Sequence, residues 1–260
     1  MFELDPRASA AGARLLAYDE IDSTNAEALR LMHRGERGPL WIAAKTQSAG
    51  RGRRGRLWSS LEGNLHTTLL LTDPGPAEHW PQLAFVAALA LHDAVIELAP
   101  DIRPMLELKW PNDLLLAGAK CAGILIEGEG SEAGETGEGA VVIGIGVNCA
   151  AHPADAAYPA TDLTAAGALI STATLFTALS AKMAGRLAQW HQGNGFATIR
   201  ADWLARAAGL GKNIRVRLAD REAAGRFDAI DEEGSLVLVE PEGGKMVIAA
   251  GDVVSLEGAR

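Results

Sequence analysis

The sequence has little with which to staple itself or to hold a metal. Two cysteines, Cys121 and Cys149, stand in 260 residues. That is too few for a disulfide framework, so both thiols are expected to pack inertly and the expected home is a reducing one, the cytoplasm. No C-x-x-C occurs, and no H-x-x-x-H among the six histidines, so no protein-built metal site is expected. The N-terminus, Met1–Arg7, lacks the basic start and apolar core of a signal peptide. No uninterrupted apolar run reaches the about 20 residues that a membrane span needs. The closest, Leu83–Leu98, carries His92, Asp93 and Glu97, and neither export nor membrane insertion is expected. Positive charge is also short: 24 Lys and Arg against 33 Asp and Glu leave a net charge of -9. Attraction to a nucleic acid would have to come from one local patch.

Such a patch exists. Gly50–Arg56 holds four arginines and three glycines, directly after the apolar run Leu40–Ala44. Glycines let backbone fold closely round a ligand, and guanidinium forks grip carboxylate or phosphate oxygens at two points. Gly50, Gly52 and Gly55 spell a G-x-G-x-x-G, but a dinucleotide fingerprint needs a helix immediately behind it, and Leu57–Asn64 has no helical stripe. Gly128, Gly130 and Ala133 form a second such decoy, set among glutamates that would repel pyrophosphate. A basic nucleic-acid patch and a plain solvated loop remain open for Gly50–Arg56 on local grounds.

In chain order, residues 1–13 read as a frayed end and Arg14–Tyr18 as a strand. Ser23 is placed to cap a helix over Ala26–His33, and that cap also offers free N–H groups and hydroxyls to a polar ligand. Asn64–Thr72 reads as a buried strand and residues 80–99 as the longest buried helix, with His92 as a packed or surface residue. Leu106–Leu116 reads as one strand, broken at Trp110-Pro111 and exposing Asn112 and Asp113. Lys120–Glu127 is a strand with Lys120 at its mouth and Gly123 leaving room for a ligand. Residues 128–139 read as a hairpin tip, and Ala140–Asn148 as a strand whose Gly144 and Gly146 leave room for something flat. Helices are expected over 174–191, capped by Thr174, and over 196–207. Five short strands follow from Asn213 to Leu256, the mark of a small closed or nearly closed barrel.

Five motifs stand in one order: Ser23-Thr24-Asn25; Thr46-Gln47 through Gly50, Arg51, Arg53, Arg54 and Arg56 to Trp58; Lys109-Trp110-Pro111-Asn112-Asp113; Lys120-x-x-Gly123 to Glu127; and Gly144-x-Gly146-Val147-Asn148. In this order and at these intervals the chain resembles the biotin protein ligases, from about Tyr18 to Leu163 and more weakly to the C-terminus. The resemblance implies an α+β fold: a mixed β-sheet flanked by helices, of the class II synthetase type, over 1–208, and a small SH3-like β-barrel over 209–260. It implies that biotin and Mg-ATP give biotinyl-5'-adenylate and pyrophosphate, and that a lysine of a biotin carboxyl carrier protein domain then takes the biotinyl group.

By the same resemblance Lys120 is the catalytic cation, and Arg51 and Arg53 belong to a loop ordering over biotin and the adenylate. Arg54 and Arg56 face the phosphates or the loop's own anchors. Ser23, Thr24 and Gln47 take the ureido ring beside Asn25, and Gly50, Gly123, Gly144 and Gly146 shape loop and walls. Trp58, Asn112 and Asn148 take adenine and ribose, with core filling as the other reading of Trp58. Asp113 orients Lys120 or acts near Mg2+, which rides on the phosphates. Some family members carry an N-terminal helix-turn-helix domain; too little chain precedes Tyr18 for one, so no DNA binding is expected. Monomer and homodimer both remain open. The alternative activity is that of a lipoate or octanoate ligase or transferase on the related fold, against which the arginine loop and the C-terminal strands argue. A non-enzymatic biotin or nucleotide sensor is the other.

Overall fold

Strands of almost unbroken apolar sequence need cover on both faces, and the computed structural model shows what covers them. It describes residues 1–129, 139–156 and 158–256, so most of the expected hairpin tip at 128–139 lies outside the described residues. Seven strands form one sheet: β1 (Arg14–Ile21), β2 (Leu40–Gln47), β3 (Leu65–Thr72), β4 (Leu106–Lys109), β5 (Asp113–Leu116), β6 (Ala119–Glu129) and β7 (Ala140–Val147). Their order is β1-β2-β3-β7-β6-β5-β4. Only β1 and β2 run parallel within it, the other neighbours being antiparallel, so the sheet is mixed as expected.

Side chains alternate across a strand, and β7 shows what each face does. Val141, Ile143, Ile145 and Val147 enter the main core with α3 (Leu83–Leu98), α4 (Thr172–Trp190) and α5 (Phe196–Leu204). Ala140 and Val142 pack the other way, in a small cluster with Ala28 of α2 (Thr24–His33). Gly144 and Gly146 continue that second row beyond the apolar cluster. Each fully buried Leu, Val or Phe contributes about 1.5–3 kcal/mol relative to exposure. The covering helices are therefore what fixes the sheet, leaving one end of its second face for chemistry.

The α3 helix is buried round most of its circumference, which is why its sequence is apolar on every side. Ala77–Leu98 is long and apolar enough to cross a membrane by composition, yet 72% of its most apolar window is buried inside the fold. His92 is packed within it, beside Asp93.

Three expectations change. The N-terminus is docked, not frayed: Asp5 caps α1 (Pro6–Ala10), Ala8 is buried, and Phe2 meets Phe176 edge-on at 5.4 Å. Leu106–Leu116 is not one interrupted strand but a hairpin, β4 pairing antiparallel with β5 across Trp110-Pro111. Asp113 consequently sits at the hairpin's inner corner and is buried, not exposed. The cap of α4 is Ser171, which accepts from the Thr174 N–H, so the helix starts two residues earlier than expected.

The second sheet holds β8 (Asn213–Arg217), β9 (Glu222–Ile230), β10 (Leu236–Val239), β11 (Lys245–Ile248) and β12 (Asp252–Leu256). Its order is β11-β10-β9-β8-β12, so among the described residues the outer strands do not pair and the small SH3-like unit is not closed by hydrogen bonds. It leans on the first sheet through Trp110, whose Nε1 donates to the Gly234 carbonyl at 3.1 Å, and through Lys109, which donates to the Val253 carbonyl. These contacts bring β12 to the mouth of the cleft.

Candidate active site

The cleft begins where α2 starts. Ser23 caps that helix, its hydroxyl accepting from the Ala26 N–H at 3.4 Å, so the next two side chains are held at the helix mouth. Thr24 donates to Gln47 Oε1 from both its N–H and its hydroxyl, at 2.8 and 3.0 Å. Thr68, on β3, stands 2.8 Å from the Thr24 hydroxyl and 2.6 Å from Asn25 Oδ1. Asn25 donates onward to Glu127 at 2.7 Å. All of Ser23, Thr24, Asn25 and Thr68 are buried, and buried polar groups arranged this way form a rigid donor and acceptor array. Gly144 is required beneath it: a Cβ there would lie 2.2 Å from Asn25 Oδ1.

One row further along the sheet the flat group expected over Gly146 is the chain's own Trp58. A Cβ on Gly146 would come within 2.5 Å of the indole, and one on Gly123 within 3.3 Å. Beside Gly123 stands Lys120. Its ammonium is 2.5 Å from Asp113 Oδ1, 5.1 Å from the Tyr158 ring centroid and 5.8 Å from that of Trp58. The other Asp113 oxygen faces Lys109 at 3.3 Å. One carboxylate is thus shared by two ammonium groups, which leaves cationic surplus at this corner.

The arginines close the mouth. Arg51 meets Glu127 at 3.5 Å, the carboxylate that also holds Asn25. Arg53, Arg54 and Arg56 converge on one residue that sequence reasoning did not select, Asp252 of β12, at 3.3, 3.4 and 3.2 Å. Arg53 also reaches Asn112 Oδ1 and the Gly251 carbonyl. Burial, partly offset by Asp252, loosens its grip on its proton, though guanidinium stays charged in proteins. Three guanidinium groups on one carboxylate again leave positive charge unmatched.

Most of the expected site residues therefore line one cavity of about 520 Å³, together with His66, Lys109, Tyr158, Asp252 and Arg217. Gly50, Arg54 and Asn148 stand outside its lining. Gly50 accepts the Trp58 N–H and so closes the base of the loop. Asn148 donates to the Thr161 carbonyl, holding the segment whose Pro159 carbonyl and Thr161 N–H bond the Lys120 backbone. Its observed effect is on the lysine, through that segment. Asn112 is tied to β6 by a bond from its amide to the Ile124 carbonyl. No group of three or more His, Cys, Asp or Glu among the described residues could hold a metal. Both cysteines are free and buried, and burial pushes the Cys149 thiol up to about 12.

The model of the biotin/lipoate A/B protein ligase family matches residues 18–148, the stretch that supplies this floor, loop and lysine. The chain belongs to that family. The biotin protein ligase C-terminal domain matches residues 209–255, which include Asp252. A biotin--[acetyl-CoA-carboxylase] ligase of Paracoccus denitrificans is 45% identical, with 88% of this chain and 95% of that protein aligned. One of that name from Mycobacterium tuberculosis is 33% identical over 91% and 87% of the two chains. Among solved structures, the biotin protein ligase of Aquifex aeolicus in complex with biotin and ATP superposes with a TM-score of 0.76 at 25% identity, covering 92% and 97%. In the family's terms the missed residues had a weak signal. Lys109 opens the motif Lys109–Asp113, but nothing local in Gly251-Asp252 announces a partner for arginines some two hundred positions earlier.

Proposed function

We propose that this chain activates biotin with ATP as biotinyl-5'-adenylate and passes the biotinyl group to a lysine of a biotin carboxyl carrier protein domain. The observation that carries it is the sequence of environments along one sheet face: a neutral buried hydrogen-bonding array at Thr24, Asn25 and Thr68, then an aromatic wall at Trp58, then Lys120. A ureido ring needs the first and a reacting carboxylate and phosphate need the last. The P–O bond to pyrophosphate breaks as the biotin carboxylate oxygen bonds the α-phosphorus. In transfer, the carrier amine attacks the acyl carbon, AMP leaves with the bonding pair, and the amine sheds a proton.

The chain's part is electrostatic and positional. Lys120, aimed by Asp113, meets negative charge growing on the carboxylate and phosphate oxygens, and Lys109 keeps Asp113 from neutralising it fully. Arg51, Arg53 and Arg56 offer charge-assisted bonds worth roughly 1.5–3 kcal/mol each to the phosphates. Trp58 walls the nucleotide, and the loop shields the mixed anhydride from water. Mg2+ enters with the nucleotide: the described residues build no cage for it, Asp113 being engaged by two lysines, and no step here is routed through it. Residues 1–208 perform the activation and 209–260 supply the anchor for its loop. Two buried, reduced thiols suit a cytoplasmic setting.

The test is mass spectrometry of the small molecules after incubation with biotin and Mg-ATP, with lipoate in a parallel tube. Biotinyl-adenylate in the first tube alone is expected. Adenylate of lipoate in preference, or no adenylate from folded protein, would overturn the reading.

A further inference from the structure

Three buried polar side chains of the cleft carry atoms without a hydrogen-bond partner among the described residues; Asp113 Oδ1 is ion-paired to Lys120, which leaves Trp58 and His66, both placed at Gly146. Trp58 Nε1, which can only donate, and both ring nitrogens of His66 reach no hydrogen-bond partner among the described residues. His66 is 1% exposed and lines the cavity. Unmatched buried polar groups are uncommon in folded proteins, and a pair in one site calls for a reason.

Their placement supplies one. His66 on β3 pairs with Gly146 on β7, so its side chain rises from the floor next to that glycine, with cross-strand Cβ positions about 5 Å apart. A Cβ on Gly146 would be 2.8 Å from Trp58 Nε1. The indole N–H lies over Gly146, and the imidazole rises from the residue paired with that glycine on the same face of the sheet. Burial pushes His66 down to about 4, so the ring is neutral at pH 7 and keeps one acceptor nitrogen; the Leu61 carbonyl lies near enough to oppose part of that shift without making an ordinary hydrogen bond to either ring nitrogen. A lone donor and a lone acceptor are complementary.

We propose that His66 is the positioning residue for Trp58: its imidazole accepts the Nε1–H and fixes the indole over Gly146 and Gly123 when substrate seats the arginine loop. This rests on the reading of the cleft as the place of biotin activation. Because Trp58 ends the loop and its N–H is held by Gly50, fixing the indole also fixes the loop's trailing end. In the present structure the bond is unmade, and on this proposal it forms as the loop seats.

The experiment uses the full chain labelled with 15N at tryptophan and histidine. Nitrogen–nitrogen scalar coupling across the hydrogen bond is read without ligand and with biotin plus ATP. Coupling between Trp58 Nε1 and a His66 nitrogen is expected, strongest with both substrates. In parallel, His66→Phe should raise KM for ATP about tenfold, the loss of one buried bond, with a smaller change for biotin. His66→Gln, which keeps an acceptor, should recover most of it. Absence of coupling in both states, or His66→Phe with both KM values unchanged, overturns the proposal, and so does coupling from Trp58 to a ligand nitrogen instead. If His66→Phe does not fold, the coupling and His66→Gln decide. Adenylate formation by the wild type in the same tubes is a separate readout: its absence defeats the functional reading, while the coupling still reports on His66.

Discussion

On the floor of the cleft, Thr24, Asn25 and Thr68 are nearly inaccessible and are joined by contacts of 2.6 to 2.8 Å. At its mouth, three arginines share Asp252 at 3.2 to 3.4 Å, with side chains partly in water. A buried array of short neutral bonds keeps its shape whether or not ligand is present and is little screened by salt. A charge cluster in excess of its counter-ion exchanges partners readily, and a triphosphate is a better partner than one carboxylate. The floor is thus suited to recognition and the loop to a cycle of grip and release. Lys120 lies where the two meet.

Removing that lysine should break the arrangement most. Lys120→Ala is expected to lower adenylate formation at least about 100-fold, the scale of losing a charge aimed at the transition state. The fold should survive, because Lys109 still faces Asp113. Single-turnover formation of adenylate beside a thermal melt separates the two effects, and near-normal turnover would refute the role given to Lys120.

The floor should also be the pH-sensitive region. His66 has its folded pKa depressed to about 4 from 6.5, with burial as the cause. For a base this means the unfolded chain binds more protons between those values. Stability is full above about pH 6.5 and falls as pH drops toward 4, by up to roughly 3 kcal/mol. Urea unfolding at pH 7.5, 6 and 5 should show this slope in the wild type and a flatter one in His66→Gln. Equal slopes in the two proteins would mean that His66 is not buried as described.

Gly144→Ala attacks the recognition array directly. The added Cβ would meet Asn25 Oδ1 at 2.2 Å on a strand paired on both sides, so the asparagine must leave its bonds. Overpacking of this kind costs about 1–3 kcal/mol. KM for biotin should rise several-fold with that for ATP nearly constant; an equal rise in both would place Gly144 outside the biotin half of the cleft.

How far these regions were legible in the sequence follows from the same contrast. The strands and helices of the floor announce themselves, because the short buried run Asn64–Thr72, ended by the Asp73–Pro76 turn, and the apolar run of Leu83–Leu98 are local patterns. The lysine, arginines and glycines were found through motifs with local spacing. What was missed depends on chain meeting chain. His66 looked like one residue in a buried strand until pairing set it beside Gly146. Asp252 has no local mark and acquires its role only because the second sheet leans on Trp110 and Lys109. The Trp110-Pro111 break was read correctly as a break and wrongly as a pause within one strand, since proline excludes a ladder bond but does not say where the chain goes next. Asp113 was misjudged as exposed for that reason.

The smallest expected effect is the most specific to the loop. Asp252→Asn keeps the shape and one acceptor oxygen, but puts an amide NH2 in place of the other and removes the one negative charge shared by Arg53, Arg54 and Arg56. These arginines are partly exposed, so the loss should be modest, about 1 kcal/mol or severalfold in rate. It should fall on retention of the intermediate and not on its formation: with its anchor weakened, the loop opens sooner after pyrophosphate leaves. The measurements are the half-life of enzyme-bound biotinyl-adenylate and the labelling of bystander lysines, each at low and high salt. The wild type at high salt should approach the variant at low salt, because added ions screen the same contacts, while biotin affinity at the floor should hardly move. An unchanged half-life in Asp252→Asn, with the salt response intact, would show that the loop is held by something other than this charge. The contrast between a neutral floor and a charge-held mouth would then fail at the point where it was most exposed to test.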